Sequence, residues 1–305
     1  MKLLVIWVLS LLLLVPRAAS AAGQPNGRSA SSAPRKIVSL APSVTEAVFA
    51  LGFGDRLVGV TTYCDYPPEA RRLPKIGGFM SPSLEAITAQ HPDLVIGVIG
   101  ATDPIKAREM ERLGLKVKLI SLANLTEILG SIRSLADLLG DREAGEKLVS
   151  RITSQIENVG RKVQAVPKRT VLVVVGTHPV IAVGGKNFID ELIILAGGAN
   201  IAANSMQPWL NLPDEYVIAK APEVIIEAGM GSEREQSMRR WNDLKSIPAV
   251  RDHRIYTYAS DKILRPGPRV GEALADLARL IHPECFSQST VSKGNTASPC
   301  ERPKS

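Results

Sequence analysis

Ser83-Leu84-Glu85, followed seven residues after the glutamate by Pro92-Asp93-Leu94-Val95-Ile96, returns in the second half of the chain as Pro213-Asp214-Glu215 and Pro222-Glu223-Val224-Ile225-Ile226. Each copy reads as a helix start, a short helix, a proline turn and a buried strand. A second echo pairs Thr45-Glu46 through Leu51-Gly52 with Asp190-Glu191 through Ala196-Gly197. Two matches in the same order point to duplicated lobes, and a cleft between two lobes is a natural ligand site.

Outward from these copies, short β-branched or aliphatic runs alternate with helical patterns. The first half offers Lys36 to Leu40, Leu57 to Val60, Asp93 to Ile96 and Lys116 to Ile120. The second offers Thr170 to Val175, Val180 to Val183, Glu223 to Ile226 and Ile255 to Tyr258. That alternation predicts an α/β fold with mostly parallel sheets. Between the halves, Leu135, Leu138 and Leu139 end one helical pattern, and Ala144, Leu148, Ile152, Ile156, Val159 and Val163 form another, with Asp141 as N-cap and Pro167 as the stop. A helix of about 24 residues would run about 36 Å and tie two lobes together rigidly. The expected organisation is a signal peptide over 1–21, a flexible leader over 22–34, an N-terminal lobe over 35–137, the linking helix over 138–166, a C-terminal lobe over 167–285 and a flexible tail over 286–305.

The leader sets the compartment. Lys2 precedes an apolar run from Leu3 to Val15 that is too short to span a bilayer, and Ala19-Ser20-Ala21 supplies the small residues of a cleavage site. Export excludes most cytosolic chemistry based on ATP or nicotinamide cofactors. No cysteine stands at the cleavage site, so the expected product is soluble in the periplasm rather than lipid-anchored. The 305 residues carry 37 basic and 30 acidic side chains, a net charge of +7 spread along the chain, and no basic block with interleaved aromatics marks a nucleic-acid surface. Of Cys64, Cys285 and Cys300, the last two could close one short loop, for roughly 3 kcal/mol in the loop-entropy picture, leaving Cys64 as a free thiol.

Motifs of catalysis are missing. Gly184-Gly185-Lys186 lacks the spacing of a phosphate loop, there is no G-x-S-x-G or H-E-x-x-H, and His91, His178, His253 and His282 lack metal-site spacing. An exported hydrolase would need clustered ligands or a nucleophile with its base. His91, His253 and His282 read as solvated loop residues. His178, in Gly176-Thr177-His178-Pro179 at a strand end, is the histidine that can face a cleft. Aromatic residues are scarce, at 4% of the chain, and Tyr63, Tyr66, Phe79 and Trp209 all fall in loops. Each ring could pack on its own lobe; together they would line a cleft for a large, flat, partly apolar ligand. Trp241 fits a core stripe. Glu85 and Glu215 complement their helix dipoles and also present two matching charges to a symmetric partner, whereas Ser43 to Glu46 reads as a capping box.

Arg35-Lys36-Ile37-Val38-Ser39-Leu40-Ala41-Pro42-Ser43-Val44-Thr45-Glu46, the Tyr63-Cys64-Asp65-Tyr66-Pro67-Pro68 turn and the Ser83 to Ile96 segment resemble the periplasmic substrate-binding proteins of iron-complex and cobalamin ABC importers. The resemblance runs from about Arg35 to His282. It implies two Rossmann-like lobes joined by one long rigid helix, small closure on binding, a monomer without cofactor or enzymatic activity, and delivery to an ABC permease dimer with its ATPase subunits. It further implies that Glu85 and Glu215 dock on the permease, and that Tyr63, Trp209, Asp261 and Arg265 contact the ligand. Where cobalamin-binding relatives have tryptophan, this chain has Phe79, Val98 and Lys262, and Gly197 to Ala199 lacks their second-lobe cysteine. The implied ligand is a cobalamin-like corrinoid, with haem or a ferric siderophore as the alternative. Haem-binding relatives use a tyrosine ligand, which Tyr63 or Tyr66 with His178 opposite would match. A sensory role beside transport stays open.

Overall fold

The computed structural model describes residues 33–177, 179–228, 240–241 and 243–286. The expected signal peptide, most of the leader and nearly all of the tail lie outside them, as do His178 and Cys300.

The N-terminal lobe is a parallel sheet ordered β2-β1-β3-β4, formed by β1 (Ile37–Ser39), β2 (Leu57–Val60), β3 (Leu94–Val98) and β4 (Val117–Ile120). Every residue of β1 and β3 is buried, which is why both read as continuous apolar runs. Successive side chains point to opposite faces. Ile37, Leu94, Ile96 and Val98 pack with α1 (Pro42–Ala50) and α4 (Leu125–Leu139), whereas Val38 and Val95 join Ile87 of α2 (Leu84–Thr88) and Met110 of α3 (Pro104–Arg112) on the other side.

The C-terminal lobe repeats this wiring and adds to it. β5 (Arg169–Thr177) is flanked by parallel β7 (Gly198–Asn200) and β9 (Val224–Glu227), and β10 (Ile255–Thr257) follows β9, so β7-β5-β9-β10 reproduces β2-β1-β3-β4. The addition is β6 (Val180–Val183), antiparallel to the end of β5, with β8 (Trp209–Asn211) antiparallel to β6. The helices of this lobe are α6 (Phe188–Leu195), α7 (Asp214–Lys220), α8 (Pro248–Arg251) and α9 (Val270–Ile281). The repeat reaches single residues. Asp93 accepts the backbone N–H groups of Arg35 and Lys36 at 2.8 and 2.9 Å, and its counterpart Glu223 accepts the N–H and hydroxyl of Thr170 at 2.8 and 3.1 Å. The pattern of exposed and buried positions over 81–87 is identical over 211–217. β7 and β8 have no counterpart among the expected strands, because three-residue runs such as Gly-Ala-Asn carry no β signal of their own.

The lobes are joined by α5 (Arg142–Val163), about 33 Å long at 1.5 Å per residue. The expected span of 138–166 merges two helices. Gly140 takes a left-handed φ of 91° and ends α4 after Leu139, and Asp141 then caps α5 by accepting the Ala144 N–H at 2.9 Å. Leu148, Ile152, Val159 and Val163 of α5 belong to a core that continues into α4 on one side and α9 on the other, so the lobes are not hinged about a bare strand. His282 is a further correction. It is 1% exposed rather than solvated, and its Nε2 lies 3.0 Å from the Gly197 carbonyl. Trp241 is fully buried, as expected of a core stripe, and donates to Glu227 at 2.6 Å. Among the described residues no helix is long and apolar enough to cross a membrane.

Two glycines of α5 separate helix propensity from packing. A Cβ at Gly145 would stand 2.5 Å from the Ala136 Cβ of α4, whereas one at Gly160 would meet nothing within 4 Å. Gly145→Val should therefore cost about 1–3 kcal/mol in urea unfolding, and Gly160→Ala should add about 0.5–1 kcal/mol.

Candidate functional site

Between the lobes lies a cavity of about 440 Å³. From the N-terminal lobe it is walled by Pro42 and Ser43 at the start of α1, Tyr63, the Gly78 to Ser81 loop, Val98 and Ala101; from the C-terminal lobe come Leu264, Arg265 and Pro266. The wall is mostly apolar and carries one charged group, the Arg265 guanidinium.

The loops that present this wall are fixed from below. Cys64 is 1% exposed, and its sulfur lies 3.1 Å from both the Thr45 and Thr61 hydroxyls, which pins the turn that lifts Tyr63 to 57% exposure. Lys75 donates to the carbonyls of Cys64 and Ala70 at 3.1 and 3.0 Å and holds the rest of that turn. Phe79 and Met80 sit on a tight loop whose base requires glycine. Gly77 has φ of 105°, and a Cβ there would fall 2.8 Å from the Ser81 carbonyl oxygen.

One buried ion cluster joins the lobes beside the cavity. Glu46 of α1 is 2% exposed and receives a bidentate pair from Arg269, Nε to Oε2 at 2.7 Å and Nη2 to Oε1 at 2.6 Å. Arg265 donates to Glu46 at 3.1 Å, to Asp65 at 2.8 Å and to the Tyr63 carbonyl at 3.2 Å. Asp261 pairs with Arg265 at 2.5 Å and Arg269 at 3.2 Å, and the Arg269 guanidinium stacks 4.0 Å above the Tyr66 ring. Burial alone would lower the pKa of both arginines. Hydrogen bonds that Arg265 donates to Asp65 and Glu46, and that Arg269 donates to Glu46, outweigh it and hold both above the ordinary value.

This cluster overturns the capping-box reading of Ser43 to Glu46. The N-cap of α1 is Ala41, with Pro42 opening the first turn and no side-chain cap, so Glu46 is free to turn across the cleft. A glutamate inside the apolar run Val44 to Leu51, and two arginines around Pro266-Gly267-Pro268, were the signals available for it.

Of the residues expected at the site, the structure brings Tyr63, Phe79 and Arg265 to the cavity wall, with Val98. Tyr66 lies against Arg269, and Asp261 is bonded to both arginines. Trp209 is on β8, 42% exposed, and does not line the cavity. Lys262 donates to Asp276 at 2.6 Å, so its charge is matched on α9. Glu85 and Glu215 are both exposed in the first turns of α2 and α7. Met80, Pro42, Leu264 and Pro266 were not among the expected residues, because nothing local in the sequence marks an apolar loop residue as cavity wall. Among the described residues no group of three or more His, Cys, Asp or Glu is placed to hold a metal ion.

Residues 37–262 match the periplasmic binding protein family, and the chain belongs to that family. It is 31% identical over 265 residues to an uncharacterized ABC transporter substrate-binding lipoprotein of Bacillus subtilis strain 168, covering 84% of this chain and 82% of that protein. Among solved structures it is similar to the periplasmic vitamin B12 binding protein of Vibrio cholerae, with 26% identity, a TM-score of 0.73, and 84% of this chain and 99% of that one covered. It is also similar to a periplasmic heme-binding protein of Roseiflexus sp. RS-1 in apo form, with 31% identity, a TM-score of 0.75 and coverage of 82% and 99%.

The loop carrying Asp261 is anchored on α9 through Asp276, which accepts from the Tyr258 hydroxyl at 2.7 Å as well as from Lys262. Burial would raise the Asp276 pKa, but the bonds from Lys262 and Tyr258 outweigh it and hold the carboxyl below its usual range. A depressed folded pKa contributes stability that is complete above the unfolded value of about 3.9 and is lost as pH falls through the folded one. Asp276→Asn should thus cost on the order of 1 kcal/mol at neutral pH, with the difference from the parent shrinking toward strongly acid pH in urea titrations.

Proposed function

We propose that this protein is the periplasmic receptor of an ABC importer, capturing a cobalamin-like corrinoid between its lobes and handing it to the membrane permease. The observation that carries the ligand class is the charge balance of the cleft. The apolar wall has a single guanidinium, and Arg265 with Arg269 already faces three carboxylates, Glu46, Asp65 and Asp261. Such a wall favours a macrocycle whose rim bears uncharged amides over one with two free carboxylates. Tyr63 and Phe79 pack on its face, and Arg265 bonds its polar rim. The likeness to a vitamin B12 binding protein supports this reading.

Haem is the second reading. The exposed phenol of Tyr63 at the cavity favours it, as does the likeness to a heme-binding protein. In either case the chain is a binding protein without catalysis, exported by a cleaved leader and monomeric. Glu85 and Glu215 are its contacts with the permease dimer, which works with its ATPase subunits. Their equivalent placement, 130 residues apart on helices of matching burial, supports that role.

Incubation with cyanocobalamin, or separately with haemin, followed by desalting and visible absorption, tests the ligand. Retained corrin absorbance at one per chain is expected, weakened at least about tenfold by Phe79→Ala together with Tyr63→Ala. A retained Soret band that Tyr63→Phe abolishes would replace the corrinoid by haem. Glu85→Ala with Glu215→Ala should leave ligand retention unchanged while binding to the permease in lipid nanodiscs is lost; a lost ligand instead would remove the docking role.

A further inference from the structure

The repeat that produced the two lobes also placed a glutamate at the same point of each lobe's first helix. Glu46 lies four residues before the end of α1, and Glu191 four residues before the end of α6. Each helix is followed by one residue and then a left-handed glycine, Gly52 at φ 87° and Gly197 at φ 79°. Both carboxylates leave their own lobe. Glu46 binds Arg265 and Arg269 at the start of α9, the last helix of the C-terminal lobe. Glu191 accepts the N–H of Leu125, the first residue of α4, which is the last helix of the N-terminal lobe, at 2.8 Å. Equivalent glutamates thus reach the N-terminal ends of equivalent helices in the opposite lobe.

We propose that Glu46 and Glu191 are the paired positioning residues that set the spacing of the lobes, and with it the width of the ligand cleft, without touching the ligand. The two ties differ in strength. Glu46 makes three charge-assisted bonds with two guanidiniums in a buried setting; Glu191 accepts one backbone N–H, aided by the positive end of α4. The Glu46 tie acts as the pivot and the Glu191 tie as the side that yields. Glu46 also orients Arg265, whose other donors hold the Tyr63 carbonyl and Asp65, so lobe spacing and the cavity wall are set by one group.

The test measures lobe separation in the ligand-free protein, so it stands whether or not the corrinoid reading of the site holds. Spin labels on exposed positions of the two lobes, through Glu111→Cys and Ala219→Cys, report the interlobe distance distribution by pulsed electron resonance, with buried Cys64 unlabelled. Glu46→Gln should broaden that distribution clearly and Glu191→Gln only slightly. Because Glu46→Gln leaves two buried guanidiniums short of a partner, Glu46→Met with Arg269→Met supplies a well-packed apolar replacement. That variant should regain thermal stability and keep the broad distribution. Cyanocobalamin, used as the probe, should dissociate at least about tenfold faster from Glu46→Gln than from the parent, with a smaller change in the association rate. A distribution as narrow as the parent's in both Glu46 variants would overturn the proposal, as would a larger effect at Glu191 than at Glu46. Absent cyanocobalamin binding with the expected broadening would sink the corrinoid reading alone.

Discussion

Glu46 is a carboxylate taken out of water in the first helix of the chain, and its compensation arrives from residues more than 200 positions away. Leaving an ion of that kind unpaired in a protein interior costs several kcal/mol, so Arg269 and Arg265 must be where they are for the fold to exist in this form. That requirement orders much of the rest. It brings the start of α9 against α1, carries the Leu264 to Pro266 segment to the cavity, and leaves Arg265 with donors to spare for Asp65 and the Tyr63 carbonyl. The cavity wall is therefore a by-product of satisfying one buried charge. The Tyr66 ring stacks on the Arg269 guanidinium.

The duplicated wiring explains why such a cluster can sit between lobes. Each lobe has a sheet covered on both faces, and α5 packs on α4 through one face and on α9 through another, so the lobes share a core rather than a flexible strand pair. Duplication alone would give two identical half-sites. The β6 and β8 strands, present in the second lobe alone among the described residues, break that identity and carry Trp209. The aromatic residues of the cavity wall, Tyr63 and Phe79, come from loops after β2 and before α2 in the first lobe, while the second lobe contributes Leu264, Arg265 and Pro266.

The sequence made the lobes legible because both layers of signal agree there. Unbroken β-branched runs such as Leu94 to Ile96 and Val224 to Ile226 can only be covered strands, and their proline-led repeats carry the duplication. The short strands β7 and β8 were hidden because backbone pairing, not side-chain type, makes Gly198 to Asn200 a strand. Glu46 was misread for a different reason. Its spacing from Ser43 satisfies a local rule, and the partner that overrides the rule lies at the other end of the chain. Asp261 and Arg265 read as ligand contacts in the sequence, whereas the bond between them and the bond from Arg265 to Glu46 could come only from the fold. Tyr63 and Phe79 reached the cavity as expected because strand-end loops open toward it whatever their detailed course. The pairing of Cys285 with Cys300 involves a residue outside those described.

The matched burial of 81–87 and 211–217 has a consequence for encounter geometry. Two acid-bearing helices at equivalent points of a duplication, with the same burial pattern, are the kind of pair a half-turn would interchange. A partner built on a true dyad would accept this surface in either of two orientations, doubling the productive encounters, a statistical gain of about 0.4 kcal/mol. The degeneracy is incomplete. Glu215 shares its helix with Asp214, which pairs with Arg240, while Glu85 follows the capping Ser83 hydroxyl and has no neighbouring acid. The two orientations are thus close in free energy without being equal, and the molecule carries a weak polarity along a surface that its ancestry made symmetric.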